Sequence, residues 1–181
     1  MDKEFSTNGV NIHYTVAGEG VAVVLMHGWG CNTTTLASIE NQLTPYFKVI
    51  NIDFPGFGKS EEPLTVWGVE DYTVALESLL RAEGVNNPIM PGHSVGGRVG
   101  IVYASRNDVR KLILVDAAGV KPRRSLKYYY KVYSYKCVKH LLPLLFGKQK
   151  GEEILNRYRG KVGSSDYKQA SSKMRAIMSR V

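Results

Sequence analysis

Between Val21 and Val115, short apolar runs alternate with helix-length amphipathic segments, and this alternation limits the folds open to the chain more than any other feature. Val21–Met26 is apolar throughout, as a strand covered on both faces must be. Phe47–Ile52 reads as a second buried strand, Pro88–Met90 as a short one and Lys111–Val115 as another. Between them, Thr33–Leu43, Val69–Glu83 and Val95–Ser105 read as helices. Pro45 ends the first. The second places Tyr72, Leu76, Leu79 and Leu80 on one face and is closed by Gly84. Upstream, Val10–Val16 alternates apolar and polar residues, and the Asn8-Gly9 hairpin signal pairs it with Lys3–Thr7. Buried strands alternating with helices specify an α/β fold, a mostly parallel sheet flanked by helices.

In such sheets the chemistry sits at the carboxyl ends of the strands, and three glycine-rich sequences fall there. Gly92-His93-Ser94-Val95-Gly96-Gly97 joins a strand to a helix. A serine on so sharp a turn needs strained backbone dihedrals, and glycines at 92, 96 and 97 remove the Cβ atoms that would collide. The hydroxyl then projects, and the helix N-terminus aims a backbone N–H at a developing oxyanion. The plain alternative is a glycine-rich turn with an incidental serine. His27-Gly28-Trp29-Gly30 follows the first buried strand; its glycines admit close backbone approach, and a free N–H there is a candidate second oxyanion donor. His27 reads as a structural hydrogen-bonder, with a general base as the alternative. In Asp53-Phe54-Pro55-Gly56-Phe57-Gly58-Lys59-Ser60, the spacing before Gly58-Lys59 is too short for a phosphate loop, so Asp53 reads as the anchor of its own loop.

Taken in order, His27-Gly28-Trp29-Gly30, Asp53-x-Pro55-Gly56-x-Gly58-x-Ser60 and Gly92-His93-Ser94-x-Gly96-Gly97 resemble the α/β-hydrolase superfamily. Within it, the chain looks like the small enzymes of the proline-iminopeptidase, esterase and carbon–carbon-bond hydrolase type. The resemblance covers residues 3–120. It implies an α/β-hydrolase fold with Ser94 as nucleophile, the backbone N–H groups of Trp29 and Val95 as oxyanion donors, and Lys111–Asp116 as the sixth strand. The implied reaction is cleavage of an ester, amide or activated carbon–carbon bond in a small-molecule substrate through an acyl-enzyme at Ser94. No metal and no organic cofactor is implied. An aspartate at the nucleophile position would imply an epoxide hydrolase or dehalogenase, and Ser94 argues against both.

The family's chain order is nucleophile, acid, histidine. Some relatives carry the acid directly after the sixth strand, where Asp116 stands; the other reading of Asp116 is a turn-forming residue. After Ser94 the only histidine is His140, and the other aspartates are Asp108 and Asp166. None stands in a context resembling the family's last two strands. The expectation is therefore a chain cut short within the helical cap, its C-terminal strands missing and its sixth strand a raw hydrophobic edge. On that expectation His13, His27, His93 and His140 cannot complete a triad, and hydrolysis is impaired. The alternative is a non-catalytic, truncated or degenerate hydrolase that binds a small ligand or a partner.

Charge divides the chain. Residues 1–120 carry a net charge of −5 and residues 121–181 a net of +13. The first part reads as the hydrolase core and the second as an incomplete basic helical cap that begins at Lys121-Pro122-Arg123-Arg124. Its helices are expected to turn Val132, Leu141, Leu144, Leu145 and Phe146 toward the core, with Pro143 breaking or kinking the helix. Tyrosines among lysines leave three readings: a solvated helical face, a site for an anionic ligand, or, least favoured, nucleic acid. No apolar run is long enough to cross a bilayer, no secretory signal follows Met1, and Cys31 and Cys137 make no disulfide framework. The expected location is cytoplasmic.

Overall fold

The computed structural model describes residues 1–120, 125–162 and 170–181, with side chains left out at 131, 148 and 158–162. Lys121-Pro122-Arg123-Arg124, where the basic segment begins, and Asp166 lie outside the described residues. The chain divides into two compact units: Met1–Val120 with Ala170–Val181, and Lys121–Gln169.

The first unit is built on one sheet. Strands β1 (Asp2–Thr7) and β2 (Val10–Ala17) form the expected hairpin. Asn8 and Gly9 carry φ of 51° and 71°, the paired positive values that suit a two-residue turn to strand twist. Next come β3 (Ala22–Met26), α1 (Thr33–Leu43), β4 (Lys48–Ile52), α2 (Val69–Ala82), β5 (Ile89–His93), α3 (Val95–Ala104) and β6 (Lys111–Val115). The strand order is β1-β2-β4-β3-β5-β6. β1 and β2 are antiparallel to their neighbours, while β4, β3, β5 and β6 run parallel. The strand before the serine is longer than Pro88–Met90: it continues through Pro91 and Gly92 to His93, so Ser94 alone joins strand to helix.

Alternate residues of β3 feed two cores. Val24 and Met26 join Ile50, Ile52 and the apolar face of α2, where Tyr72, Leu76, Leu79 and Leu80 are buried. Val23 and Leu25 pack with Val49 and the half-buried Leu36 and Leu43 of α1. Both helices are capped locally. Asn32 accepts from the Thr35 N–H while the Thr35 hydroxyl accepts from the Asn32 N–H, closing a capping box at α1. At α2, Asp71 reaches back to the Gly68 N–H at 2.7 Å. Among the described residues β6 is the last strand of the sheet, with Ile113, Leu114 and Val115 exposed.

Helix α6 (Ser172–Met178) belongs to this first unit, and Met174 and Ile177 enter its larger core. Ser171 bonds Glu62, and Arg98 donates to the Val181 carbonyl at 2.6 Å.

The second unit contains α4 (Leu126–Phe146) and α5 (Lys148–Val162). The break allowed for at Pro143 is absent, and one expectation fails here. Pro143 does not break α4, which runs on to Phe146; a proline one turn from a helix end forfeits a single backbone bond and little helix remains to be lost. Leu141, Leu144, Leu145 and Phe146 do not face a core: all four are exposed, and Val132 is half-buried. The reason is that α4 packs through a different side. Gly151 of α5 lies so close to Leu142 and Pro143 that a Cβ on it would sit 2.8 Å from Pro143 backbone atoms.

Candidate active site

The β5–α3 junction holds Ser94 at φ 50° and ψ −114°, a conformation that costs a non-glycine residue on the order of 1–3 kcal/mol. Backbone bonds enforce it. The Ser94 N–H donates to the Val115 carbonyl at 3.2 Å, and the Ser94 carbonyl accepts from Ala118 at 2.9 Å and Arg98 at 3.2 Å. Packing leaves no room for side chains around it. A Cβ on Gly92 would lie 2.7 Å from the Gly97 backbone, and one on Gly96 would strike the Met26 and His27 carbonyls. The strained serine expected from the three glycines is what the structure shows.

The β3–α1 turn lies against this junction. A Cβ on Gly28 would sit 2.6 Å from His93 Nδ1 and 3.1 Å from the Ser94 Cβ. The exposed His93 ring therefore rests on Gly28. The Trp29 and Val95 N–H groups, the two candidate oxyanion donors, bond to no other group among the described residues. Trp29 stands edge-on to Phe57, with ring centroids 4.9 Å apart. Gly30 completes the turn.

His27 is fully committed. Its Nδ1 faces the Gly28 carbonyl at 2.7 Å and its Nε2 accepts from the Phe54 N–H at 3.0 Å. The two bonds fix the neutral tautomer with hydrogen on Nδ1 and leave no nitrogen for base catalysis. Burial pushes the His27 pKa below its usual value, with the Gly28 carbonyl and Asp53 opposing in part. The unfolded chain, titrating near about pH 6.5, then takes up this proton before the folded one. The stability that neutral His27 contributes is whole above about pH 6.5 and declines as pH falls from there toward the lower folded value. We expect urea-unfolding midpoints to drop between about pH 7.5 and 5.5, and to drop less in His27→Gln. Equal slopes in the two proteins would refute this.

Asp53 anchors its loop, as the sequence suggests, and does more. It is 1% exposed. Oδ1 accepts from Thr33 N–H at 2.5 Å, and Oδ2 from Lys59 N–H at 2.9 Å and His13 Nδ1 at 2.8 Å. The Ser60 hydroxyl donates to the Asp53 carbonyl and accepts from the His13 N–H. The His13–Asp53 pair was not evident from the sequence, although a histidine within an apolar strand is itself a sign that a polar partner waits nearby. Its Nε2 is buried without a hydrogen bond, 3.7 Å from the Asp2 carboxylate.

Asp116 follows β6 at φ 46°, directly after the residue that holds the Ser94 N–H. Its side chain is exposed and, among the described residues, makes no hydrogen bond. Nor does any described residue bond the Ser94 hydroxyl. His140 lies on α4, in the second unit.

A model of the alpha/beta hydrolase fold family matches residues 21–168. The chain belongs to this family. Lipase 1 of Psychrobacter immobilis is 38% identical over 108 residues, 58% of this chain and 33% of the lipase. The 2-hydroxy-6-oxo-6-phenylhexa-2,4-dienoate hydrolase of Comamonas testosteroni is 28% identical over 165 residues, 80% of this chain and 57% of that enzyme. Among solved structures, the epoxide hydrolase CorEH superposes with a TM-score of 0.63 at 26% identity, covering 74% of this chain and 50% of that one. The chain thus spans only part of its relatives, 34% of the length of the mycobacterial protein Rv2715.

Proposed function

We propose that this alpha/beta hydrolase is a serine hydrolase, which opens an ester, amide or activated carbon–carbon bond in a small molecule by forming an acyl-enzyme at Ser94. The observation that carries this reading is the strained Ser94 at the β5–α3 junction, a conformation with no structural purpose unless the hydroxyl must project. The uncommitted N–H groups of Trp29 and Val95 support it as donors to the tetrahedral oxyanion. In the acylation step the Ser94 oxygen adds to the carbonyl carbon, its proton passes to a base, and the leaving group departs with a proton. Asp116 is the candidate acid beside the junction. The basic segment that contains α4 and α5 serves as the cap that selects the substrate. Serine at this position favours acyl transfer over the epoxide opening named for CorEH.

One observation favours a second reading, a hydrolase-derived binding protein. Both ring nitrogens of His27 and the Nδ1 of His13 are committed, and His93 rests on Gly28 without bonding the serine. A serine without its base loses on the order of 10⁴–10⁶ in turnover. The two readings separate in one experiment, using an activated aryl ester and a fluorophosphonate probe on the chain and on Ser94→Ala. Hydrolysis expects stoichiometric labelling at Ser94 and an ester burst, both absent from Ser94→Ala. Equal behaviour of the two proteins would overturn it in favour of binding alone.

A further inference from the structure

Helix α4 carries a face that the proposed chemistry does not use. Leu126, Tyr130, Tyr133, Cys137, Leu141 and Leu144 recur at spacings of three and four, so they form one stripe along the helix. All six are exposed, Leu126 and Leu144 at 88% and 81%. At 1.5 Å per residue the stripe is about 27 Å long. Away from the stripe, Leu142 and Pro143 lie against Gly151 of α5, while Val138, Leu145 and Phe146 are exposed. No lysine falls on the stripe. Lys127 and Lys136 stand on its two flanks, and the Lys136 ammonium reaches over the Tyr133 ring at 5.7 Å. From Lys121 to Gly151 the sequence holds nine lysines and arginines, and between Asp116 and Glu152 it holds no acid at all.

We propose that α4 is a membrane-surface helix, which lies in the headgroup layer of an anionic bilayer with the Leu126–Leu144 stripe toward the acyl chains. Three features fit that occupant together. Leucines meet the acyl boundary, tyrosines sit at the level of the headgroups, and flanking lysines meet anionic lipid while their stems cover apolar surface. A second copy of the chain fits less well, because pairing two such helices would bring two acid-free cationic segments together. Nucleic acid would satisfy the lysines but leave the leucines in water. No described helix is long and apolar enough to cross a membrane, so the contact is peripheral.

The test is co-sedimentation of the full chain with phosphatidylcholine vesicles, with and without roughly 30% phosphatidylserine. The proposal expects binding to the anionic vesicles, about tenfold weaker on the neutral ones and reduced by high salt. It expects about tenfold loss in Leu141→Ser/Leu144→Ser and in Lys127→Glu/Lys136→Glu. Circular dichroism checks that both variants keep their helices; the substituted leucines are exposed, so the fold does not depend on them. Failure to bind anionic vesicles, equal binding to both kinds, or variants that bind like the parent would each overturn the proposal. So would a dimer broken by Leu144→Ser, or a duplex oligonucleotide bound through the lysines alone, in a chain that ignores vesicles.

Discussion

Gly96→Ala is expected to destroy the β5–α3 junction. The new methyl group would strike the Met26 and His27 carbonyls, at and just past the end of a strand paired on both sides, and this backbone cannot step aside as a flexible side chain would. Overpacking costs typically about 1–3 kcal/mol, and contact with backbone that cannot move puts this site at or above about 3 kcal/mol. Ser94 depends on this same close approach for its conformation, so its labelling by a fluorophosphonate should vanish along with the stability. Urea unfolding followed by tryptophan fluorescence reads the first effect, and mass spectrometry the second. A variant of unchanged midpoint, still labelled at the parental rate, would show that the approach of α3 to β3 is looser than the structure describes.

Asp53→Ala should be comparably damaging for a different reason. The substitution leaves the Thr33 and Lys59 N–H groups and the His13 ring without their acceptor, two of them deep inside the protein. Breaking such a buried cluster from one side costs about 3–5 kcal/mol. Asp53→Asn keeps one carbonyl oxygen and should recover part of the loss. The same urea titration decides it: a shift of less than about 1 kcal/mol for the alanine variant would mean that water replaces the carboxylate.

Much of this architecture is legible in the sequence, because each element announces itself locally. The apolar run of β3, the hairpin signal at Asn8-Gly9, the face of α2 and the glycines about Ser94 are all short-range patterns, and the structure places each where its pattern points. What could not be read is what depends on distant chain. His13 and Asp53 are 40 residues apart, and only the packing of β2 beside β4 brings them together. Helix α6 sits at the end of a strongly basic segment, so its charge conceals a short apolar repeat, Met174 and Ile177, that joins the first unit. The exposed leucines of α4 mislead for a related reason. An apolar residue on a helix signals that something should cover it, but periodicity alone does not say which side the neighbouring helix will take.

The apolar uniformity of β3 carries a consequence for how the sheet finds its alignment. In a strand with one wet face, a slip by one residue turns the greasy side toward water, and the error is punished at once. Within β3 no such penalty operates, for Ala22 through Met26 offer an apolar side chain to either face, so sliding the strand by one position leaves both cores filled. The discriminating group is the first polar residue past the end. Displace β3 by one, and the Phe54 N–H loses the His27 nitrogen and is stranded in a dry interior. His27 thus works as an index mark: it tells a featureless strand where to stop, and in doing so sets the height at which Gly28 meets Ser94.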